Sequence, residues 1–415
     1  MHFDTHFKGR IIQVTEALSF DDAVSNQVLA LDQMLQGMGL RSAVYTKWHD
    51  ARLEMRRQPI EELAVTEHDV IVHHLYGMAE HTLPDVLGRY CTKVLLYHNI
   101  TPHDFFPTSS RLHEFCRVGR DRLGESIAGF HHFWADSQFN LNELIALGAP
   151  PACCSVIPII VNATVQPSAD VARNPGSWIF VGRVAPNKDQ CGLLQLFEEV
   201  QATAPALAQE LILVGGFEAD DPYYLQLREQ ITGSSVGDRV RLTGKVSNEE
   251  RDHLLASSQV YVSLSAHEGF GVPLVEASHQ RLPVAALATT AVTETLGSGA
   301  MSDRQAVKQL VLQLQTDTAF RASLLQEQAL NALRFASAAV EQKVQHALRQ
   351  ILPLAHQFKS VSVVICTYNR KNYLERVLDY LSHQSSGAFE VIVVDGPSDD
   401  GSKELLKSWM GHRPR

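Results

Sequence analysis

The chain has 415 residues, of which 45% are hydrophobic and 20% are charged, and its formal net charge is −10. This length exceeds one ordinary hydrophobic core and this composition is typical of globular proteins, so we expect two or three folded domains and not a disordered chain. The negative charge argues against a general nucleic-acid binder, which would carry a basic footprint.

Cysteine usage and hydropathy indicate where the protein works. The six cysteines show neither CxxC spacing nor a disulfide framework, which favours a reducing compartment. The N-terminal stretch MHFDTHFKGR has no apolar core after a basic start, so we predict no signal peptide. No apolar run approaches the roughly 18 residues of a membrane span. We therefore expect a cytoplasmic protein that is soluble, or at most peripheral on the cytoplasmic face of the membrane.

Short β-branched segments alternate with longer helical patterns. The first clear helix is predicted over residues 23–39, where apolar residues recur every three to four positions and Gly39 provides a stop. The predicted strands, in chain order, are RIIQVTEA, RSAVYT, DVIVHHL, KVLLYHN and FHHFWADS, then, after a Pro-, Ser- and Ala-rich linker (ATVQPSADVARNPGS), SWIFVGRV, ELILVGG, RVRLTGKV, QVYVSLSA and LPVAAL. This alternation predicts two α/β domains with parallel sheets that face each other across a cleft, with ligands at the carboxyl ends of the strands.

We place the predicted units by these patterns. A Rossmann-like domain is expected over residues 1–163, a second over 164–335, and a helix that returns towards the first domain over 336–358. The stretch from SLLQEQAL to LPLAHQF is predicted to be helical throughout. Residues 360–415 then change character and predict a separate strand–helix–strand unit.

The segment HEGFGVPLVEA contains two glutamates at the predicted cleft. Glu268 follows the strand QVYVSLSA, which we expect to end at Ala266, and Glu276 lies about one turn into the next helix. Gly269 and Gly271 allow the backbone to approach a ligand closely.

Amide groups of residues 269–272 would then point out of a helix N-terminus, which is an anion site. The segment predicts an anion cradle with a carboxylate on each side, which fits a sugar nucleotide. The alternative is an acidic helix cap with a Gly-Pro turn.

Two cations follow the strand SWIFVG. Arg183 and Lys188 offer a fork-shaped guanidinium and a point charge at the same strand edge. This pair suits a diphosphate leaving group. The alternative is two ordinary surface cations.

The motifs FVGRVAPNKDQ, LILVGG, RLTGKVSNEE and HEGFGVPLVEASHQRLPVAA occur in an order that resembles family 4 of the glycosyltransferases, retaining enzymes of the GT-B fold. The segments DAVSNQVLALDQMLQGMG, LLYHNITPHDFF and ADSQFNLNEL in the first half are similar to the same family. The resemblance covers roughly residues 10–350.

The resemblance implies roles by position. Arg183 and Lys188 match the pair that holds the donor diphosphate and stabilises the departing nucleotide, Glu268 matches the glutamate that faces the donor sugar, and Glu276 matches the one that binds ribose. His98 matches a histidine near the donor sugar and the reaction centre, for which a core histidine at a strand end is the alternative. The remaining matched positions are the loop amides of Gly269, Phe270, Gly271 and Val272, with Leu254 and Ser247 near the base.

One loop departs from the family pattern. The family's first loop is often glycine-rich, whereas Asp21 and Asp22 stand here. Carboxylates there suggest a neutral, hydroxyl-rich acceptor and not a phosphorylated one. A helix N-cap is the alternative for one of the two.

The predicted mechanism follows from charge. Cleavage at the anomeric carbon builds negative charge on the diphosphate, and each prearranged contact with it is worth about 3 kcal/mol. No side chain stands out as a covalent nucleophile, so retention would come from acceptor attack on the face that the nucleotide leaves. We expect no metal and no cofactor, since the nucleotide sugar is a substrate.

The final 55 or so residues resemble the opening of a family 2 glycosyltransferase, which has the GT-A fold. Thr367, Asn369 and Asp395 match positions that hold the nucleoside in that family. The metal-binding and base motifs of that family would come later, so we expect this unit to be inactive. It is interpreted as cut from a longer bifunctional enzyme or, alternatively, as a packing element.

The sequence therefore predicts a retaining hexosyltransferase. It would move a sugar from a UDP- or GDP-sugar to a glycan or lipid-linked acceptor in bacterial surface polysaccharide synthesis. The alternatives are a non-catalytic scaffold subunit and a nucleotide-sugar epimerase of the same architecture. A further hypothesis is that the chain contacts the inner membrane. It rests on the basic residues Arg111, Arg117, Arg120 and Arg122, for which a solvated helix face is the alternative.

Overall fold

The computed structural model describes residues 7–20, 22–162, 172–352, 361–382 and 389–411. Asp21, most of the predicted linker, and the predicted domain limits at residues 163, 164, 358 and 360 lie outside the described residues. The domain limits therefore stay predictions.

The first half forms a parallel sheet with strand order β3-β2-β1-β4-β5-β6-β7 within the described residues. Its strands are β1 (Ile11–Leu18), β2 (Ser42–His49), β3 (Gln58–Pro59), β4 (Val70–Leu75), β5 (Thr92–Tyr97), β6 (His132–Ala135) and β7 (Cys154–Val156). Its helices are α1 (Ala23–Gly37), α2 (Leu83–Leu87), α3 (Arg111–Ser126) and α4 (Gln138–Ala146).

Central strands β4 and β5 are buried at every position, as expected for a parallel sheet covered on both faces. The helix α1 matches the predicted segment closely. It begins after Asp22, whose carboxylate accepts a hydrogen bond from the Ser25 amide, and Gly39 follows its end at φ +80°. The left-handed backbone there suits glycine, which explains the stop.

The second half repeats this architecture with strand order β10-β9-β8-β11-β12-β13 among the described residues. Its strands are β8 (Ser177–Val181), β9 (Glu210–Val214), β10 (Val240–Gly244), β11 (Val260–Ser263), β12 (Val284–Leu287) and β13 (Ala300–Met301). Its helices are α5 (Gln190–Thr203), α6 (Pro222–Gly233), α7 (Asn248–Ser257), α8 (Val272–His279), α9 (Val292–Leu296), α10 (Arg304–Thr316), α11 (Thr318–Ala332) and α12 (Ser337–Ile351).

One predicted strand is shorter than expected. The strand β11 ends at Ser263 and not at Ala266. Its register with β12 covers only residues 261–263. Glu268 therefore lies in a loop five residues beyond the strand.

The stretch predicted to be helical throughout contains one break, next to residue 336, where the returning helix is predicted to begin. The helix α11 ends at Ala332, a single 3₁₀ turn spans Leu333–Phe335, and Ala336 is extended before α12 begins. The break brings the Phe335 ring edge-on to Phe270, with ring centroids 5.1 Å apart. Tertiary packing thus overrides a favourable helical sequence.

The helix α12 packs its apolar face on the first sheet. Its buried residues Val340, Val344, Ala347, Leu348 and Ile351 share one hydrophobic cluster with residues of β1, α1, β4 and β5. The chain thus crosses back from the second sheet to the first.

The C-terminal unit is a parallel strand pair joined by a helix. It comprises β14 (Val361–Thr367), α13 (Lys371–Ser382), β15 (Phe389–Asp395) and α14 (Ser402–Gly411). This arrangement is the predicted strand–helix–strand unit.

Gly215 allows the neighbouring strands β8 and β9 of the second sheet to end side by side. It follows β9 with φ +150°, and a Cβ built there would lie 2.0 Å from the carbonyl oxygen of Gly182. Gly182 directly precedes Arg183, so this close approach fixes the backbone that carries the predicted diphosphate ligand.

We expect Gly215→Ala to lower the apparent melting temperature. The substitution forces β9 and the Gly182 backbone apart, which we expect to cost about 2–4 kcal/mol, or roughly 4–12 °C in a domain of this size. Gly216→Ala is the matched control, because no atom lies within 4 Å of its built Cβ. Differential scanning calorimetry measures both, and equal melting temperatures would contradict the packing argument.

Candidate active site in the interdomain cleft

The cleft lies where the strand order of each sheet reverses. In the first sheet this point is the β1–β4 boundary, and in the second it is the β8–β11 boundary. Such points leave a crevice at the carboxyl ends of parallel strands. A cavity of about 590 Å³ lies there and is lined by residues of both halves, among them Asp22, His98, Arg183, Lys188, Glu268 and Gly269.

Two of the residues that are predicted to bind the donor form an ion pair with each other. Lys188 Nζ lies 2.6 Å from Glu268 Oε1, and their side chains are only 20% and 15% exposed. Arg183 is exposed and has no ion-pair partner among the residues that the structure describes. The cavity thus holds one paired cation and one unpaired cation.

The glycine loop faces the first sheet. A Cβ on Gly269 would lie 2.4 Å from Asn99 Cβ, and the Gly269 carbonyl accepts a hydrogen bond of 2.8 Å from Ser137 Oγ. Gly271 has φ +89° and occupies the position before α8, where no described side chain caps the helix. Val272 begins the helix, so its amide lies at the helix N-terminus, where an anion is favoured.

The side chain and the backbone amide of Phe270 have different relations to the cavity. Its side chain is 4% exposed and packs against Phe335, away from the cavity lining. Any contact of Phe270 with a ligand would therefore use its backbone amide, which is the group that the resemblance implicates.

Glu276 and Leu254 lie apart from the Glu268 cavity. Glu276 pairs with Arg251 at 3.2 Å, and burial raises the pKa of its carboxyl above the ordinary value while Arg251 opposes that rise. Leu254 is 7% exposed and belongs to the hydrophobic core of the second sheet. Ser247 caps α7 by accepting a hydrogen bond from the Glu250 amide. Their predicted roles at ribose and base stay predictions.

His98 directly follows β5, and both of its ring nitrogens lie at hydrogen-bonding distance from other side chains. Nδ1 lies 3.0 and 2.9 Å from the two oxygens of Asp136, and Nε2 lies 2.8 Å from Nδ1 of His74. The side chains of His98 and Asp136 are each 1% exposed. The residue lines the cavity, but its imidazole is held inside the first domain, and its predicted place beside the donor sugar stays a prediction.

Asn99 connects the two halves directly. Its Nδ2 donates to Asn140 Oδ1 and Glu143 Oε2, so its Oδ1 faces the second half and accepts from His267 Nε2 at 2.7 Å. The backbone of Asn99 is left-handed, with φ +71°. His267 immediately precedes Glu268, and the sequence analysis did not single it out.

The first domain contributes an apolar wall. Phe106, Leu112 and Phe115 line the cavity opposite Arg183 and Lys188. Asp22 lines the same cavity and also caps α1, so the two interpretations of this carboxylate are compatible. The wall comes from the loop at Phe106 and from α3, and no role at the site was predicted for these three residues.

The basic residues of α3 are mostly neutralised. Arg117 pairs with Glu114 and Asp121, Arg120 with Glu143, and Arg122 with Glu80. This pairing weakens the case for α3 as a surface that attracts an acidic membrane. No helix in the described part of the chain is both long and apolar enough to span a bilayer.

The described residues contain no cluster of three histidine, cysteine, aspartate or glutamate side chains arranged to bind a metal. All six cysteines are free thiols.

The predicted nucleoside positions of the C-terminal unit lie at one strand edge. Thr367 and Asp395 are paired at the ends of β14 and β15. The side-chain oxygen of Asn369 accepts a hydrogen bond from the backbone N–H of Asp399. The backbone N–H of Asn369 donates to the Ser398 hydroxyl, which in turn donates to the Asp395 carboxylate.

Comparisons with known proteins agree with the two resemblances. Residues 166–323 match the family model described as glycosyl transferases group 1, and residues 362–415 match that of glycosyl transferase family 2. The order of the two segments is the predicted one, so both resemblances are confirmed.

Curated relatives include O-antigen chain mannosyltransferase B of Escherichia coli, 29% identical over 219 residues that cover 48% of this chain and 55% of the relative. Another is GDP-mannose:cellobiosyl-diphosphopolyprenol alpha-mannosyltransferase of Xanthomonas campestris, 35% identical over 107 residues that cover 26% of this chain and 27% of the relative. The chain thus spans about half the length of the first relative and about a quarter of the second.

Solved structures show the same fold. Anabaena Alr3699/HepE in complex with UDP and glucose has a TM-score of 0.62 at 18% identity, covering 82% of this chain and 100% of that one. A glycosyltransferase from Rickettsia africae ESF-5 has a TM-score of 0.63 at 14% identity, covering 83% and 99%. The predicted GT-B fold is confirmed.

We expect the titration of His267 to report the charges of the cleft. Its pKa is lowered to about 4, mainly by burial, with Lys188 and Arg120 adding to the decrease and Glu268 opposing it. Removing the cation in Lys188→Met should therefore raise this pKa, and removing the anion in Glu268→Gln should lower it.

Histidine NMR titration measures both shifts. His131 is the internal control: its pKa is also lowered to about 4, by burial and by Lys93, and the cleft substitutions should leave it unchanged. If the pKa of His267 were the same in both variants as in the wild-type chain, Lys188 and Glu268 would lie farther from His267 than the structure places them.

Proposed function

We propose that the chain is a retaining glycosyltransferase that uses a nucleotide-sugar donor and belongs to polysaccharide synthesis. The observation that carries this proposal is the unpaired Arg183 beside the Lys188–Glu268 pair in a cavity at both strand reversals. The matching family models and the mannosyltransferase relatives support it.

The donor would occupy the half of the cavity built on the second sheet. Its diphosphate would lie against Arg183, Lys188 and the amides before α8, because each of these is positive and points to the cleft. Glu268 would accept hydrogen bonds from sugar hydroxyls, and Glu276 would lie towards the ribose.

Departure of the nucleotide builds negative charge on the diphosphate. Arg183 and Lys188 would stabilise this charge as it forms, because both line the cavity in which the diphosphate would lie. No carboxylate other than Glu268 and Asp22 lines the cavity in the described part of the chain, and under this proposal Glu268 accepts hydrogen bonds from the sugar hydroxyls. This arrangement favours acceptor attack from the departing side over a covalent intermediate.

The acceptor would lie against the first domain. Phe106, Leu112 and Phe115 offer apolar faces for a sugar ring or a lipid portion, and Asp22 offers an acceptor for hydroxyl groups. A carboxylate there disfavours a phosphate group on the nearest acceptor sugar. A glycan or lipid-linked sugar fits this chemistry.

Calorimetric titration with UDP, GDP and ADP tests the donor site. We expect one nucleotide to bind, and Arg183→Ala to weaken its binding by roughly 10- to 100-fold, since a lost charged hydrogen bond costs about 1.5–3 kcal/mol. The relatives named as mannosyltransferases make GDP, and then GDP-mannose, the first ligands to try.

Arg56→Ala is the matched control. Arg56 is an exposed arginine of the first domain outside the cavity lining, so its loss should leave the affinity unchanged. If none of the three nucleotides binds the wild-type chain, the transferase proposal fails and a scaffold role takes its place.

A further inference from the structure

Four buried side chains form one hydrogen-bonded row across the first sheet. Gln13 on β1 contacts His74 on β4, His74 contacts His98 at the end of β5, and His98 contacts Asp136 after β6. All four side chains are almost completely buried. Because water cannot supply missing partners there, every donor must meet an acceptor along the row.

The direction of the row is set at Gln13. Its Nε2 lies 3.0 Å from the carbonyl oxygen of Val28, which can only accept, so the amide NH₂ faces Val28. The Gln13 Oε1 must then accept from His74 Nε2 at 3.0 Å. His74 therefore carries its proton on Nε2.

His74 is neutral, because burial, with His98 and His73 adding to it, keeps its pKa well below the ordinary value. A neutral imidazole with a proton on Nε2 has a bare Nδ1. That nitrogen lies 2.8 Å from His98 Nε2, so His98 must donate through Nε2.

The other nitrogen of His98 faces a carboxylate. Its Nδ1 is almost equidistant from both oxygens of Asp136, at 3.0 and 2.9 Å, which suits a shared negative charge. A bare Nδ1 would place its lone pair against that charge. Both nitrogens of His98 thus need a proton.

We propose that His98 is a buried imidazolium, doubly protonated and paired with ionised Asp136, and that it is a positioning residue. Both N–H groups are used inside the domain, and the side chain is 1% exposed, so neither nitrogen can take a proton from an acceptor or bind a donor sugar. The geometry assigns to the ring the work of holding the end of β5 at the cavity.

The surrounding charges are consistent with one buried ion pair. His73 on β4 is also buried and neutral, with a pKa lowered to about 3 by burial and by His98. Burial raises the pKa of Asp136, and His98 opposes that rise. The consequence for catalysis rests on the proposed function, whereas the protonation state does not.

Histidine ¹⁵N NMR on the full-length chain without ligand tests the proposal. The ¹⁵N shift separates protonated from bare imidazole nitrogens, and the His98 signals are identified by their loss in His98→Gln. We expect both His98 nitrogens to be protonated at neutral pH. A bare Nδ1, with the proton on Asp136, would overturn the proposal, and so would a bare Nε2.

Asp136→Asn separates charge from geometry. An asparagine amide can donate to Nδ1, so His98 should lose that proton, stay neutral, and keep the proton on Nε2, because Gln13 and His74 still require it. Retention of the proton on Nδ1 alone would contradict the direction assigned to the row.

A second substitution removes Gln13, the residue that sets the direction of the hydrogen bonds in the row. In Gln13→Leu/Asp136→Asn, we expect the Nδ1-protonated form of His98 to become populated as well. Gln27→Leu/Asp136→Asn is the matched control: Gln27 is an equally buried amide of the first domain that binds Pro158 and Ile160 outside the row. It should leave the Nε2 proton in place, and loss of that proton in the control would count against the role of Gln13.

Nucleotide titration keeps the two proposals separate. If no nucleotide binds while both His98 nitrogens are protonated, the transferase proposal fails and the imidazolium stands. If a nucleotide binds and a His98 nitrogen is bare, the reverse holds.

Discussion

The missing side chain at Gly269 sets the distance between the two strand edges. Any Cβ there would overlap Asn99, so only glycine lets the loop before α8 touch the end of β5. At that contact the Ser137 hydroxyl donates a hydrogen bond to the Gly269 carbonyl, and the His267 ring is hydrogen-bonded to the side-chain oxygen of Asn99. The cavity lies where these two edges meet, and the contact holds the loop that carries Glu268 at the end of the first sheet.

Much of this arrangement could be predicted from local sequence. The helix α1 has an N-cap, a regular apolar period and a glycine stop, and the structure follows all three. Parallel strands such as β4 and β5 are rich in apolar residues, and their carboxyl ends define one edge. Short-range rules therefore place Arg183, Lys188 and Glu268 at the cleft.

Long-range pairing could not be predicted in the same way. The partners of His98 lie 24 and 38 residues away, on strands whose register depends on the whole sheet. The pair of Lys188 and Glu268 joins residues 80 positions apart. The break between α11 and α12 contains no proline or glycine that would indicate it in the sequence. It coincides with the contact of Phe335 with Phe270, which lies on a loop distant in the sequence.

The pairing of Lys188 with Glu268 has a consequence for ligand entry under the proposed function. A diphosphate that reaches the cavity meets Arg183 unpaired but must compete with Glu268 for Lys188. Because the diphosphate carries more charge than one carboxylate, Lys188 would turn to it, and Glu268 would be released towards the sugar hydroxyls. One exchange of partners would thus couple phosphate recognition to sugar recognition. The pair also keeps both side chains in position beforehand, so less side-chain freedom is lost when the donor binds.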